Sequence, residues 1–146
     1  MKQELVKEWM TPEVVTIQPD TTLPEAHRLM TDKQIRRLPV VKKGRLVGIV
    51  TRGDVREAEP SDATSLSIWE VNYLLAKLKV EQIMTRNPRT ISPEATIGEA
   101  AQAMLEYKIS GLPVVDEQGQ VVGIITESDI FRTVVKTWSQ VESLVG

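Results

Sequence analysis

The chain states one pattern twice, and this duplication restricts its possible folds more than any other feature. The segment LPVVKKGRLVGIVTRGDV, Leu38 to Val55, returns as LPVVDEQGQVVGIITESDI, Leu112 to Ile130. Upstream the match runs without a gap: Met10 and Thr11 fall on Met84 and Thr85, Thr16 and Ile17 on Thr90 and Ile91, and Pro19 on Pro93. It continues through Thr22, Glu25, Ala26, Met30 and Ile35 onto Thr96, Glu99, Ala100, Met104 and Ile109. One residue is inserted in the second copy between Val115 and Gly119, a change that a hairpin loop tolerates. Beyond it Gly48, Thr51 and Asp54 fall on Gly123, Thr126 and Asp129. Such a repeat predicts two similar halves related by a pseudo-twofold axis. Whatever one half builds, the other can build again.

Each copy reads in the same order: strand, helix, strand, strand, helix. Val14 to Ile17 and Arg89 to Ile91 form short strands leading into a proline. Thr22-x-x-Glu25 and Thr96-x-x-Glu99 then read as capping boxes, in which hydroxyl and carboxylate satisfy the free amides of a helix start. Leu23, Ala26, Leu29 and Met30 recur at helical spacing, as do Ile97, Ala100, Ala101, Met104 and Leu105. Two β-rich runs follow, Leu38–Val41 and Arg45–Val50, with Gly44 between them. Their counterparts are Leu112–Val115 and Gln120–Ile125 around Gly119. Each pair reads as a hairpin, and a second helix begins near Thr51 and near Thr126.

Between the copies, EAEPSDATS (Glu57 to Ser65) is polar and turn-prone. Ser67-x-x-Glu70 opens a connecting helix whose stripe of Ile68, Val71, Leu74, Leu75 and Leu78 predicts docking on a core. This gives a division into residues 1–62, a connecting helix over 63–78, and residues 79–146. The last helix runs long, and Ile130, Val134, Trp138, Val141 and Val145 line one side of it. That is more apolar surface than a small half-domain needs, so part of it is expected to meet a second subunit.

The element richest in chemistry is Gly-apolar-apolar-Thr-x-x-Asp, at Gly48–Asp54 and again at Gly123–Asp129. At a strand-to-helix junction, Thr-x-x-Asp makes a good helix cap, contributing roughly 0.5–2 kcal/mol. The same geometry suits a ligand. Free amides at a helix start favour phosphate, a threonine hydroxyl can donate to a phosphate oxygen, and a carboxylate one turn on can accept from both hydroxyls of a ribose. The two readings are compatible.

Composition excludes several function classes. Net charge is −2 with no basic cluster, which argues against nucleic acid as a partner. Without cysteine there is no disulfide and no thiolate metal site, and the lone His27, beside Leu23 and Met30 on the first helix, reads as a boundary residue rather than a ligand. No nucleophile, base and orienting group stand together, so the chain does not read as an enzyme. The first residues, MKQELVKEWM, are too charged for a signal peptide, and no apolar run approaches the roughly 20 residues that span a bilayer. A cytoplasmic location with no membrane association is the expectation.

The doubled Ile-x-x-Leu-Pro-Val-Val hairpin followed by Gly-x-x-Thr-x-x-Asp resembles the CBS domain, named for cystathionine β-synthase, and two tandem copies resemble a Bateman module. The likeness covers about Val6 to Phe131. It implies an α/β (α+β) fold of two pseudo-twofold-related β-α-β-β-α repeats packed through their sheets. It also implies a regulatory rather than catalytic role, with an adenine nucleotide (AMP, ADP or ATP) held in clefts between the repeats, no required cofactor, and signalling to an unidentified partner protein. The SLSIWEVNYLLAKL run is similar to CBS proteins of the acetoin-utilisation accessory type. Carried over residue by residue, the family pattern puts phosphate and ribose at Thr51 and Asp54 in one cleft and at Thr126 and Asp129 in the other. Adenine-facing positions fall at Val15, Thr16 and Ile17 with Ile35, Arg36, Arg37, Leu38 and Pro39. In the other copy they fall at Arg89, Thr90 and Ile91 with Ile109, Ser110, Gly111, Leu112 and Pro113; the sequence leaves open which base wall faces which Thr/Asp pair, because in this family the two halves can share a cleft.

The copies differ where phosphates would lie. Arg36, Arg37 and Arg52 in the first are matched by Ser110, Gly111 and Glu127 in the second. Arginine forks suit phosphate, and Glu127 opposes it. The expectation is a polyphosphate in the first cleft and AMP, weak binding or vacancy in the second, with Arg89 able to reach the second and blur the contrast. Two rival readings remain: a structural homodimerisation module with vacant clefts, and a binder of S-adenosylmethionine or a similar adenosyl ligand. Trp9, Trp69 and Trp138 are expected to anchor packing or an interface.

Overall fold

The computed structural model describes residues 4–58 and 67–145. In chain order the elements are α1 (Val6–Trp9), β1 (Thr11–Pro12), α2 (Leu23–Lys33), β2 (Arg37–Lys42), β3 (Arg45–Thr51), α3 (Arg52–Ala58) and α4 (Ile68–Lys77). A 3-10 turn at Val80–Gln82 leads to β4 (Thr85–Arg86), α5 (Ile97–Tyr107), β5 (Gly111–Val115), β6 (Val121–Thr126) and α6 (Glu127–Val145). The mixed helix-and-strand fold and the doubled hairpin match the sequence reading. Hairpin strands lie within a residue of the expected bounds, and Gly44 and Gly119 sit at φ +79° and +81° in their turns. The linker residues 59–66 and the side chains of Ile68, Trp69, Val71 and Val145 lie outside the described residues.

Two compact units emerge: Val15–Pro88, and Arg89–Gly146 together with Met1–Val14. Each holds one three-stranded sheet, β2-β3-β4 in the first and β1-β6-β5 in the second. The third strand of each sheet comes from the segment that leads into the other repeat. Thr11 and Pro12 pair with Ile124 and Gly123. Thr85 and Arg86 pair with Ile49 and Gly48. The repeated Met-Thr dipeptide is therefore an edge strand, and the repeat in sequence is not the unit in space. Val6 and Val80, which the repeat superimposes, are both fully buried and each joins the core of the unit it enters.

The cores follow from helix and strand periodicity. In the Val15–Pro88 unit, Ile17, Leu23, Ala26, Met30, Leu38, Val40, Val50, Val55 and Val80 form one buried cluster. In the other unit the cluster is Val6, Ala100, Met104, Leu112, Val114 and Ile125. The expected strands before Pro19 and Pro93 shrink to single parallel bridges, Ile17 to Val40 and Ile91 to Val114. One residue of pairing suffices there, because Ile17 both donates to the Pro39 carbonyl (3.0 Å) and accepts from Val41 N–H (2.8 Å). Thr22 and Glu25 form both arms of a capping box, whereas at Thr96 only the hydroxyl arm, from Glu99 N–H at 3.1 Å, is made. Both helices end on a left-handed residue, Gln34 and Lys108. On α4, Leu75 docks on the core, as does Leu78 at its C-cap, while Leu74 stays exposed.

The outer face of α6 carries the surplus apolar surface expected of it. Phe131, Val135, Trp138 and Val141 are each more than half exposed. Ile130 packs on the core and Thr133 is buried. Among the described residues, no helix is long and apolar enough to cross a membrane.

Candidate functional site

The Thr-x-x-Asp motif folds as a reciprocal cap in the Val15–Pro88 unit. Asp54 Oδ2 accepts from the Thr51 N–H (2.8 Å), and the Asp54 N–H donates to Thr51 Oγ1 (3.2 Å). Thr51 Oγ1 is the acceptor there, so its hydroxyl proton is not used in this cap. Asp54 is half-buried. The Arg52 N–H donates to the Arg36 carbonyl (2.8 Å), so the exposed side chains of Arg36 and Arg52 leave the backbone from neighbouring points. Half-buried Arg37 starts β2. Val15, Thr16 and Ile17 reach the same strand through the Ile17 bridge to Val40, beside buried Leu38 and Pro39. The N–H of Ile35 closes the end of α2 by donating to the Met30 carbonyl (3.0 Å). All eleven candidate positions of the first copy thus sit on one unit, around the start of β2. A groove of about 630 Å³ opens on that unit, lined by Thr16, Ile17 and Leu29 and by the charged groups Asp20, Glu25, Arg28 and Asp32. It includes only Thr16 and Ile17 of the candidates. Exposed His27 is not part of it.

The second copy repeats this frame with different side-chain partners. The Glu127 N–H donates to the Ser110 carbonyl (3.0 Å), as Arg52 does to Arg36. Ile91 bridges Val114 beside buried Gly111, Leu112 and Pro113, with Ile109 partly buried against the core. Here, however, Asp129 accepts three donors: the Thr126 N–H (2.9 Å) and hydroxyl (3.3 Å) at Oδ2, and Arg132 Nη1 at Oδ1 (2.7 Å). Asp129 is 4% exposed. Arg89, which precedes Thr90, lies over the Tyr107 ring, 3.9 Å from its centroid, and both side chains are exposed. Sequence reasoning missed Arg132 and Tyr107. The first is signalled by arginine at Asp+3, where the first copy has Glu57, and the second by tyrosine where the first copy has Lys33.

The motif glycines have a different role. A Cβ on Gly48 would stand 2.4 Å from Met84 Sδ, and one on Gly123 would stand 2.4 Å from Met10 Sδ. They make room for the methionine that precedes each edge strand. Near the chain start, Trp9 donates to Glu4, Lys136 pairs with Glu4 (3.1 Å), and the Lys136 ammonium lies 5.3 Å from the Trp9 ring. Trp9 thus anchors the first segment onto α6. Trp138 is exposed on the outer face of that helix. Among the described residues, no cluster of His, Asp or Glu is placed to hold a metal ion.

Comparison with known proteins shows the family. The family model of the CBS domain matches twice, over residues 6–61 and 80–136. A CBS domain-containing protein of Dictyostelium discoideum is 38% identical over 90% of this chain and 92% of its own. An inosine-5'-monophosphate dehydrogenase of Korarchaeum cryptofilum is 41% identical over 82% of this chain but only 22% of its own. The chain spans less than half the length of most of the curated relatives it matches first. Three solved structures are similar over nearly their whole length. CBSX2 of Arabidopsis thaliana, crystallised with AMP, is 28% identical with a TM-score of 0.76 over 92% of this chain and 98% of that one. The CBS domain pair of protein MJ0100, in complex with 5'-methylthioadenosine and S-adenosyl-L-methionine, is 32% identical with a TM-score of 0.78, over 93% and 99%. AcuB of Vibrio cholerae, assigned to acetoin utilisation, is 29% identical with a TM-score of 0.78, over 97% and 98%.

Proposed function

The chain belongs to the CBS-domain family, and from that premise we propose that it is a regulatory module that binds an adenosine-containing ligand and signals its occupancy to a partner protein, with no catalysis of its own. The observation that carries this reading is the Thr51–Asp54 cap, with a hydroxyl and a half-buried carboxylate beside the Ile17-bridged strand of Leu38 and Pro39. An aliphatic wall takes an adenine face, the carboxylate takes a ribose diol, and the hydroxyl with Arg36 and Arg52 takes phosphate. AMP, ADP or ATP is the favoured ligand. A second reading, an S-adenosylmethionine or methylthioadenosine binder, is supported by the likeness to the MJ0100 pair.

The test is calorimetry on nucleotide-stripped protein with AMP, ADP, ATP, S-adenosylmethionine and methylthioadenosine. Dissociation constants between micromolar and millimolar are expected, about −8 to −4 kcal/mol. A ligand at 100 times its Kd adds about 2.7 kcal/mol to stability, which a melting curve reads independently. No heat and no thermal shift with any of the five at millimolar concentration would leave the structural module as the better reading.

The exposed apolar face of α6 supports assembly as a homodimer. Light scattering is expected to give twice the 16.4 kDa chain mass. Trp138→Asp, which puts a charge in the middle of that face, should shift the mass towards the monomer. A wild-type mass of one chain at high concentration would remove the dimer from the proposal.

A further inference from the structure

The two copies of Thr-x-x-Asp hold their carboxylates in different states. Among the described residues, Asp54 Oδ2 is engaged by one backbone N–H, and three residues on stands Glu57, which donates nothing to it. Both oxygens of Asp129 are taken: Oδ2 by the Thr126 N–H and hydroxyl, Oδ1 by Arg132 Nη1 at 2.7 Å. The side chain of Asp129 is 6% exposed and that of Arg132 64%. A ribose diol needs two open acceptor positions on one carboxylate; with Oδ2 filled by Thr126 these fall to Oδ1 of Asp129, where the guanidinium stands.

We infer that Arg132 is a latch on the second site: it closes Asp129 to a ribose, so an adenosine-containing ligand occupies the Asp54 site first and the Asp129 site only when Arg132 swings away. This rests on the proposed function. The motion required is small. Arg132 is mostly in solvent, and Asp129 keeps its two Thr126 donors when the guanidinium leaves. The Thr126 hydroxyl is also spent inside the motif, whereas Thr51 Oγ1 accepts from the backbone and its proton has no acceptor among the described residues. The inequivalence of the copies therefore arises at the ribose position, independently of the charge difference at Arg36 and Arg52 against Ser110 and Glu127.

The experiment isolates the second site in the Asp54→Ala background and titrates AMP and methylthioadenosine by calorimetry. A latch that is largely solvent-exposed is weak, so removing it by Arg132→Ala should tighten this site about fivefold. The gain should appear with both ligands, because they share the ribose and only one carries phosphate. Arg132→Met, which keeps the aliphatic stem, should act alike if the alanine variant folds poorly. Adding Asp129→Ala to either should cancel the gain. Two equal sites in the wild-type chain, no tightening in either Arg132 variant, or a gain with only one ligand would overturn the latch and leave the proposed function standing. No binding by any of these proteins, wild type included, would overturn both.

Discussion

Replacing Asp54 by alanine is expected to weaken AMP binding about ten- to a hundredfold, the largest loss from any single side chain of the candidate site. Hydrogen bonds to a charged group contribute roughly 1.5–3 kcal/mol, and the half-buried Asp54 offers them to a ribose with little competition. The same change breaks the cap with Thr51, at about 0.5–2 kcal/mol of stability. Affinity must therefore be expressed per folded molecule. Asp54→Asn separates the two roles. It keeps an oxygen for the Thr51 N–H, seen at 2.8 Å from Asp54 Oδ2, and loses the charge. It should leave the melting temperature nearly in place and still lower affinity. Asp129→Ala in the wild-type background should cost far less binding, because Arg132 already holds that carboxylate. ATP should lose more than AMP on Asp54→Ala, since Arg36 and Arg52 flank this motif alone. A fall in melting temperature with unchanged affinity would make Asp54 a cap and nothing more.

How much of this was legible in the sequence depends on range. The capped start of α2 at Thr22, the glycine turns and the hairpins are local, and periodicity with turn chemistry places them within a residue. Register within the first hairpin places Leu38, Val40 and Val50 together in one core cluster, which a one-residue slip would break up. What the sequence did not disclose is long-range. Two-residue strands such as Thr11–Pro12 carry no periodicity, and only tertiary pairing with Gly123 and Ile124 makes them strands. The Met-Thr repeat was visible, but not that each copy of it completes the other repeat's sheet. The candidate site was legible as a motif because Thr-x-x-Asp is local. The state of its carboxylate was not, because that depends on which rotamer Arg132 takes and on whether Thr126 donates its hydroxyl. The Arg89 stack on Tyr107 was missed for the same reason. It joins two side chains from segments that the sequence sets apart.

The motif glycine gives the sharpest stability test, because two glycines in one hairpin are required for opposite reasons. Gly44 needs its backbone: its φ is +79°, and a Cβ there meets nothing within 4 Å. Gly48 needs its space. Its Cβ would stand 2.4 Å from Met84 Sδ, 2.9 Å from Met84 Cγ and 3.1 Å from the Thr85 carbonyl oxygen. A valine at Gly48 gains up to about 1 kcal/mol in strand preference. The overlap outweighs this, because the methionine must move away and the carbonyl on the paired edge strand cannot yield freely. The expected net loss for Gly48→Val is about 3 kcal/mol, at the upper end for overpacking. That lowers the melting temperature by about 6–12 °C for a chain of this length. Gly48→Ala should lose about 1–2 kcal/mol, since a single carbon can be cleared by a shift of the flexible Met84 side chain. The cause is then read from a double-mutant cycle. Gly48→Ala with Met84→Ala should lose less than the sum of the single losses by at least about 1 kcal/mol, because the second change removes the atoms with which the first collides. Gly44→Ala with Met84→Ala should be additive, since strain at φ +79° has nothing to do with the edge strand. Additivity in both cycles would mean that Gly48 is required for something other than the seat of Met84.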